Sequence, residues 1–375
     1  MKLLIVAGGG GHFAPALAIL DKLPKGWEYL LVGRKHAFEG DDALSFEYQT
    51  AQKMDLPFVP LNTGRLQRNI TTHTFSSLLK IPGGLQQSLK ILKDFKPDVV
   101  LSFGGYVAAP IALAAKMQKI PIVVHEQTLR AGLANKMVSK FANKICISWK
   151  YSEQFFPKEK TVLTGNPLRK EFFAHADSSE KRSNGKVPLL YITGGSGGAH
   201  GINLLVEESL EKLLEKYLII HQTGNAKEFG DFDRLAQKKL SLPEHLQKRY
   251  EVTKFIPSDH VVSVMLNADL VVARSGISTV SEILYLGKPC LLIPLPYGQH
   301  NEQLTNAEFV QSTGLGETYN QDTLTPDLFV EKIGEMITNI ETYKSHAMVT
   351  QELINKDAAE KIIEVVQNEK EKHNR

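Results

Sequence analysis

The sequence predicts an α/β protein built as two Rossmann-like domains facing a cleft, and three observations predict it. Apolar runs of strand length alternate with helical stretches along most of the chain. Twice, near residues 2–23 and 189–216, such a run enters a glycine-rich turn that opens a helix. The stretch from Leu270 to Pro296 then spells strand, glycine turn, helix and strand. Strand–helix–strand units build parallel sheets, and open parallel sheets bind ligands beyond the carboxyl ends of their strands.

Lys2 to Ala7 reads as the first strand, Gly8 to Gly11 as a turn and Phe13 to Leu23 as a helix. Tyr29 to Val32 is the second strand, ending at Gly33-Arg34; residues 35–56 are mixed and carry no assignment. Pro57 to Leu61 is a short strand, and residues 62–96 form a basic, apolar helical region broken at Pro82-Gly83-Gly84. Strands follow at Asp98–Phe103, Pro121–His125, Lys144–Trp149 and Thr161–Thr164, with helices over Ala108–Met117 and on to about Phe141. Asp177 to Lys186 reads as a linker. The alternation resumes with Leu189–Thr193, Gly194–Gly198, a helix from Ile202 to Lys216, Tyr217–Gln222, a charged helix to Leu240 and Val252–Ile256. The stretch after Leu270 puts a helix from about Ser278 to Leu286, which Gly287 ends as a C-cap. We divide the chain into residues 1–165, residues 166–345, and a helical tail, 346–375, expected to pack back on the first domain.

The chain has 375 residues, 42% apolar and 23% charged, an ordinary globular composition. A net charge of +3 gives no argument for nucleic acid. Cys146 and Cys290 fall in strands and read as free buried thiols of a reducing compartment. No apolar run reaches the length of a spanning helix, and Met1–His12 enters glycines too early for a signal peptide, so we expect a cytoplasmic protein.

The glycine turns let backbone approach a ligand closely, and the helix starts behind them suit an anion. Gly9, Gly11 and Ala14 also fit a dinucleotide fingerprint, but the acidic residue it wants on the second strand is replaced by Gly33-Arg34. No phosphate-binding G-x-x-x-x-G-K-[ST] loop occurs. Asp231-Phe232-Asp233 resembles a metal-binding D-x-D but sits in a polar stretch, so it reads as a solvated acidic surface. His12 titrates in the range of a general base; hydrogen bonding or capping is its alternative role. His125 reads as structural. Glu282 is placed to accept a ribose diol, yet Thr279-x-x-Glu282 also matches a capping box, and both readings stay open.

Taken together, these segments resemble the MurG family, bacterial transferases that add N-acetylglucosamine to lipid I to make lipid II. The matching segments are Ala7-Gly8-Gly9-Gly10-Gly11-His12-Phe13-Ala14-Pro15, Gly104-Gly105-Tyr106-Val107, His125-Glu126-Gln127 and Gly165-Asn166-Pro167-Leu168-Arg169. Gly194-Gly195-Ser196, Arg274-Ser275-Gly276 through Thr279-Val280-Ser281-Glu282, and Gln303 with Asn306-Ala307 complete the series. The resemblance implies a GT-B glycosyltransferase taking UDP-N-acetylglucosamine, with no cofactor and no metal. It implies His12 as the base, with Gly9, Gly10, Gly11, Tyr106 and Thr128 along the acceptor and sugar. Arg169, Ser196 and the helix start at Ile277, Ser278 and Thr279 would hold the diphosphate, with Arg274, Gly276, Val280 and Ser281 also counted among the substrate-binding residues. Ile256 would meet the uracil through its backbone, Glu282 the ribose and Gln303 the sugar hydroxyls. The chain departs from the family pattern at Thr128, Gly197 and Glu302, all close to the expected sugar.

A lipid-linked acceptor implies a protein peripheral on the inner face of the cell membrane. Arg65, Arg68, Lys80, Lys90 and Lys93, among Phe75, Leu78, Leu79, Ile81, Leu85, Ile91 and Leu92, offer a surface for anionic lipid. The competing classes are a UDP-N-acetylglucosamine 2-epimerase on the same fold and an idle UDP-binding module.

Overall fold

A computed structural model describes the chain except residues 37–43, 65–71, 175–186, 196, 225, 227, 298–300 and 375, and side chains are also set aside at 10, 72–81, 174, 258 and 259. The chain forms two compact units, Met1–Arg169 with Asn355–Arg375, and Lys170–Ile354.

The first unit holds β1 (Lys2–Ala7), α1 (Gly10–Leu20), β2 (Glu28–Gly33), α2 (Phe46–Lys53), β3 (Phe58–Pro60), α3 (Thr72–Phe95), β4 (Val99–Gly104), α4 (Ala108–Met117), β5 (Ile122–Glu126), α5 (Leu133–Val138), β6 (Lys144–Ile147) and β7 (Thr161–Leu163). The second holds α6 (Lys170–Ala174), β8 (Leu189–Thr193), α7 (His200–Leu214), β9 (Leu218–Gln222), α8 (Asp231–Ser241), α9 (Glu244–Gln247), β10 (Tyr250–Thr253), α10 (Ser258–Asn267), β11 (Leu270–Ala273), α11 (Ile277–Leu286), β12 (Cys290–Leu292), α12 (Glu302–Ser312), β13 (Gly316–Thr318), α13 (Pro326–Thr338), α14 (Ile340–Ser345) and α15 (Ala347–Glu352). The last helix, α16 (Ala358–His373), belongs to the first unit.

Each unit is built on one parallel sheet, in the orders β3-β2-β1-β4-β5-β6-β7 and β10-β9-β8-β11-β12-β13. The strand order reverses between β1 and β4 in one sheet and between β8 and β11 in the other. Those reversals are the switch points where doubly wound sheets open a crevice for ligands. The central strands are buried on both faces, which is why they read as continuous apolar runs. Helix α16 closes one face of the first sheet with Ala359, Ile362, Ile363 and Val366, the i, i+3, i+4, i+7 stripe of an amphipathic helix. Burying each of its Ile and Val side chains contributes about 1.5–3 kcal/mol.

Several sequence expectations change. α3 runs unbroken through Pro82, because its C-terminal half is held by packing: Leu85, Leu89, Ile91 and Leu92 all join the core under α4. Leu85, Ile91 and Leu92 therefore face inward and are not part of a lipid-facing surface. Arg65 and Arg68, and the side chains of Phe75, Leu78, Leu79, Lys80 and Ile81, lie outside the described residues, as does the linker at 177–186. The unassigned stretch before Leu56 contains α2, capped by Ser45, whose Oγ accepts from the Tyr48 amide. Asp231 is buried rather than solvated. Burial alone would raise its pKa, but hydrogen bonds from Asn203, Arg234 and His200 hold the carboxyl below the usual range. Cys146 and Cys290 are free and buried in strands; burial pushes the Cys146 thiol up to about 12.

Candidate active site

At the first switch point two glycine turns lie backbone to backbone. The Gly8 amide donates to the Gly104 carbonyl at 3.1 Å, and a Cβ on Gly105 would stand 2.4 Å from the Gly8 oxygen. Only glycine allows that approach, and Gly105 also has a φ of +84°. Gly9, with φ +111°, is the N-cap of α1, so Gly10 and Gly11 already lie in the helix instead of the turn that the sequence suggests. Their amides stand in the first turn, where an α-helix supplies no partner of its own.

His12 follows in that first turn, half-buried, with Nδ1 3.0 Å from Gln127 Nε2. Gln127 directly follows β5, and its carbonyl accepts from the Trp149 indole at 2.9 Å. Burial, reinforced by the Arg34 guanidinium, lowers the His12 pKa to about 4 against the opposing pull of Glu47 and the Phe103 carbonyl. The imidazole is therefore neutral near pH 7, the form a base requires. Beside it, His125 is fully buried and bonded to Gly165 and Ser148, a structural role.

Tyr106 is half-buried against the core of this unit, and Arg169 is half-buried at its boundary. Thr128 is turned inward. Its hydroxyl lies 2.7 Å from Glu126 Oε1 and close to the Arg130 carbonyl, and 5% of the residue is exposed. Glu126 organises this loop, its other oxygen accepting from the Gly132 amide and from Asn135.

The second switch point carries the Gly194–Gly198 turn after β8 and the Arg274–Gly276 turn after β11. Gly198, at φ +78°, meets the β9 end so closely that a Cβ would stand 2.3 Å from the Thr223 oxygen. Gln222 fastens three segments: its Nε2 donates to Thr193 Oγ1 and the Gly195 carbonyl, and its Oε1 accepts from the Ile256 amide at 2.9 Å. The Ile256 amide is thus engaged inside the protein, which leaves its carbonyl as the backbone group open to a ligand. Ser196 lies outside the described residues.

Helix α11 starts at the Gly276 N-cap, which places Thr279 three and Glu282 six residues into the helix. A capping box needs its Ser or Thr at the N-cap itself, so this pair is not one. Ser278, Thr279 and Glu282 are half-buried and share one helix face. Ile277 and Val280 are buried, and the Ser281 hydroxyl donates back to the Ile277 carbonyl at 2.9 Å, leaving these three only backbone to offer. Arg274 is buried too, and burial lowers its pKa to about 10. Its guanidinium donates to the Ile293 and Pro294 carbonyls and to Gln321, pinning the loop after β12. Gln303 is fixed from both ends: its Oε1 accepts from the Leu295 amide, and its carbonyl from Ser275 Oγ.

Arg34 and Glu47 were not among the residues the sequence singled out as site candidates. Arg34 Nε donates to Glu47 Oε1 at 2.7 Å, and the same oxygen accepts the Gly9 amide at 2.9 Å.

Two Rossmann-like parallel-sheet domains with glycine turns at both switch points define the GT-B fold. Residues 3–147 match the glycosyltransferase family 28 N-terminal domain and residues 189–363 its C-terminal domain. The chain belongs to the MurG family of glycosyltransferase family 28. It is 34% identical to the UDP-N-acetylglucosamine–N-acetylmuramyl-(pentapeptide) pyrophosphoryl-undecaprenol N-acetylglucosamine transferase of Geobacter metallireducens, over 99% of this chain and 100% of the relative. The protein of the same name from Lachnoclostridium phytofermentans is 31% identical over 98% of this chain and 99% of its own length. The fold matches the crystal structure of Acinetobacter baumannii MurG with a TM-score of 0.70 at 23% identity, covering 98% of this chain and 100% of that one. A UDP-GlcNAc 2-epimerase from Neisseria meningitidis, bound to UDP-GlcNAc, shares the fold at a TM-score of 0.66 and 16% identity, over 98% and 100% of the two chains.

Proposed function

We propose that this enzyme transfers N-acetylglucosamine from UDP-N-acetylglucosamine to undecaprenyl-diphosphate-linked N-acetylmuramoyl-pentapeptide, the lipid I to lipid II step of peptidoglycan synthesis. What carries the reading is a neutral, anchored His12 beside the first glycine turn, in a chain whose full-length relatives bear that activity in their names.

In this reading the acceptor hydroxyl attacks the anomeric carbon, His12 takes its proton, and the bond to the diphosphate breaks. A single displacement inverts the anomeric configuration. The first-turn amides of α11, with Ser278 and Thr279, stabilise the departing UDP, since a helix N-terminus favours negative charge. Glu282 accepts the ribose hydroxyls, and the Ile256 carbonyl meets the uracil. Gln303 reads the sugar, while Thr128, facing inward, does not.

The enzyme acts on a lipid-linked acceptor as a peripheral protein at the inner face of the membrane. Among the described residues no helix is long and apolar enough to cross a membrane. Lys90 and Lys93 on α3 are exposed, as are Lys116, Leu113 and Met117 on α4, which packs against α3. Basic residues beside exposed apolar ones favour an anionic lipid surface. Co-sedimentation with phosphatidylglycerol vesicles that survives Lys90→Glu/Lys93→Glu unchanged would remove this surface.

Incubation with UDP-N-acetylglucosamine and a lipid I analogue tests the transfer. UDP release that needs the acceptor, with a β-linked product, is expected. Isomerised nucleotide sugar without acceptor would instead assign a 2-epimerase.

A further inference from the structure

We propose that Glu47, clamped by Arg34, is a positioning residue for the transfer: a buried carboxylate on α2 that holds the Gly9 amide and so sets the first turn of α1, which carries His12.

The inference rests on the base reading of His12 and stands on geometry. Gly9 is the N-cap of α1, so its N–H precedes the helix and has no partner within it. That N–H goes to Glu47 Oε1 at 2.9 Å. Arg34 Nε donates to the same oxygen at 2.7 Å, and a Cβ on Gly9 would stand 3.3 Å from Arg34 Nη2, so the guanidinium lies along the glycine. The Glu47 side chain has 0% exposure. Its position in the first turn of α2 suits a negative group. Residue 34 is fastened to α2 a second time, since Ser45 Oγ donates to the Arg34 carbonyl at 2.6 Å. The end of β2, the start of α2 and the glycine turn therefore form one assembly that a shift of Gly9 would disturb. Among the described residues Glu47 Oε2 is buried with no hydrogen-bond partner, and the carboxylate accepts from Gly9 and Arg34 through Oε1.

The same pair lies in the electrostatic surroundings of His12. The groups facing the imidazole are Arg34 at the end of β2, Glu47 on α2, His125 on β5, the Phe103 carbonyl on β4 and the Gln127 amide. Arg34 opposes a proton on His12 and Glu47 favours one. Breaking the pair alters the placement of the ring and its readiness to accept a proton, while the groups proposed to hold the donor sit elsewhere in the chain.

The test uses full-length Glu47→Ala, Glu47→Gln and Arg34→Gln with UDP-N-acetylglucosamine and a lipid I analogue, beside His12→Gln. Glu47→Ala is expected to lose about tenfold or more in kcat with the donor KM within roughly twofold, as for a misplaced reacting group. Glu47→Gln, which keeps an oxygen for the Gly9 amide, should recover part of that loss. In labelled enzyme the His12 ring should titrate lower in Glu47→Gln and higher in Arg34→Gln. A Glu47→Ala enzyme that fails to fold leaves the Gln variants and the titration to decide. Unchanged kcat in the folded Glu47 variants, or a loss wholly in donor KM, overturns the proposal while His12→Gln remains inactive. An active His12→Gln overturns the base reading instead.

Discussion

Gln127 Nε2 lies 3.0 Å from Nδ1 of His12, and in this orientation Gln127 Oε1 is buried without a partner among the described residues. As placed, the Gln127 amide donates to Nδ1, and a half-turn of the amide would instead let Oε1 accept from Nδ1–H; in either setting Gln127 anchors the ring. With His12 at about 4, kcat/KM should hold as pH falls below neutral and decline only as pH drops through that value. Gln127→Glu sets a carboxylate beside Nδ1 and should move this acid limb up by about one unit or more. A pH–rate profile measures it.

Glu282 is expected to act on affinity. Glu282→Gln loses the charge-assisted hydrogen bonds to a ribose, a cost of about 1.5–3 kcal/mol, or roughly ten- to a hundredfold in UDP binding. Titration calorimetry with UDP reads this directly. Thr279→Glu, which adds a negative charge to the first turn of α11, should weaken UDP as well, whereas Ser281→Ala should not.

His125 and His221 are fully buried, and burial lowers their pKa values to about 4 and about 3. Both fall below the unfolded value near 6.5, so the unfolded chain binds more protons than the folded one once pH falls below that point. Stability is complete above about pH 6.5 and is lost as pH descends toward 4, by on the order of 3 kcal/mol for each histidine. Urea midpoints between pH 7.5 and 4.5 should fall accordingly. His125→Phe or His221→Phe should flatten the slope in proportion.

Gly198→Ala should cost about 2 kcal/mol or more, because its φ is +78° and the new Cβ would stand 2.3 Å from the Thr223 carbonyl oxygen. Gly197→Ala, with open space around its Cβ position, should leave the thermal midpoint near that of the parent.

The sheets were legible because their strands are uninterrupted apolar runs, and Gly287 announced the end of α11, where it takes a φ of +61°. The switch points followed from the glycines after β1, β4 and β8. The polar wiring between segments was not legible. Glu47 sits 38 residues from Gly9 and Gln222 34 from Ile256, and nothing local marks either pairing. The Ser45 cap of α2 was a readable signal, hidden by the charged residues before it. The family resemblance marked Arg274 and Thr128, and nothing in the sequence reveals that their side chains bond to the Ile293 carbonyl and to Glu126. Pro82 misled for a different reason: the loss of one helical hydrogen bond was outweighed by the packing of α3 beneath α4.

The bond from Asn355 Nδ2 to the Thr164 carbonyl, 2.7 Å long, joins residues 191 positions apart, and α16 follows it onto the first sheet. During synthesis the ribosome must complete all of Lys170–Ile354 before α16 can emerge. The amino-terminal sheet therefore waits, with Phe13, Ile19 and Leu101 uncovered on one side, while the later-made unit can finish first. Stop codons close to position 357 should yield a sticky, chaperone-bound product, although every residue proposed to act in transfer has already been translated.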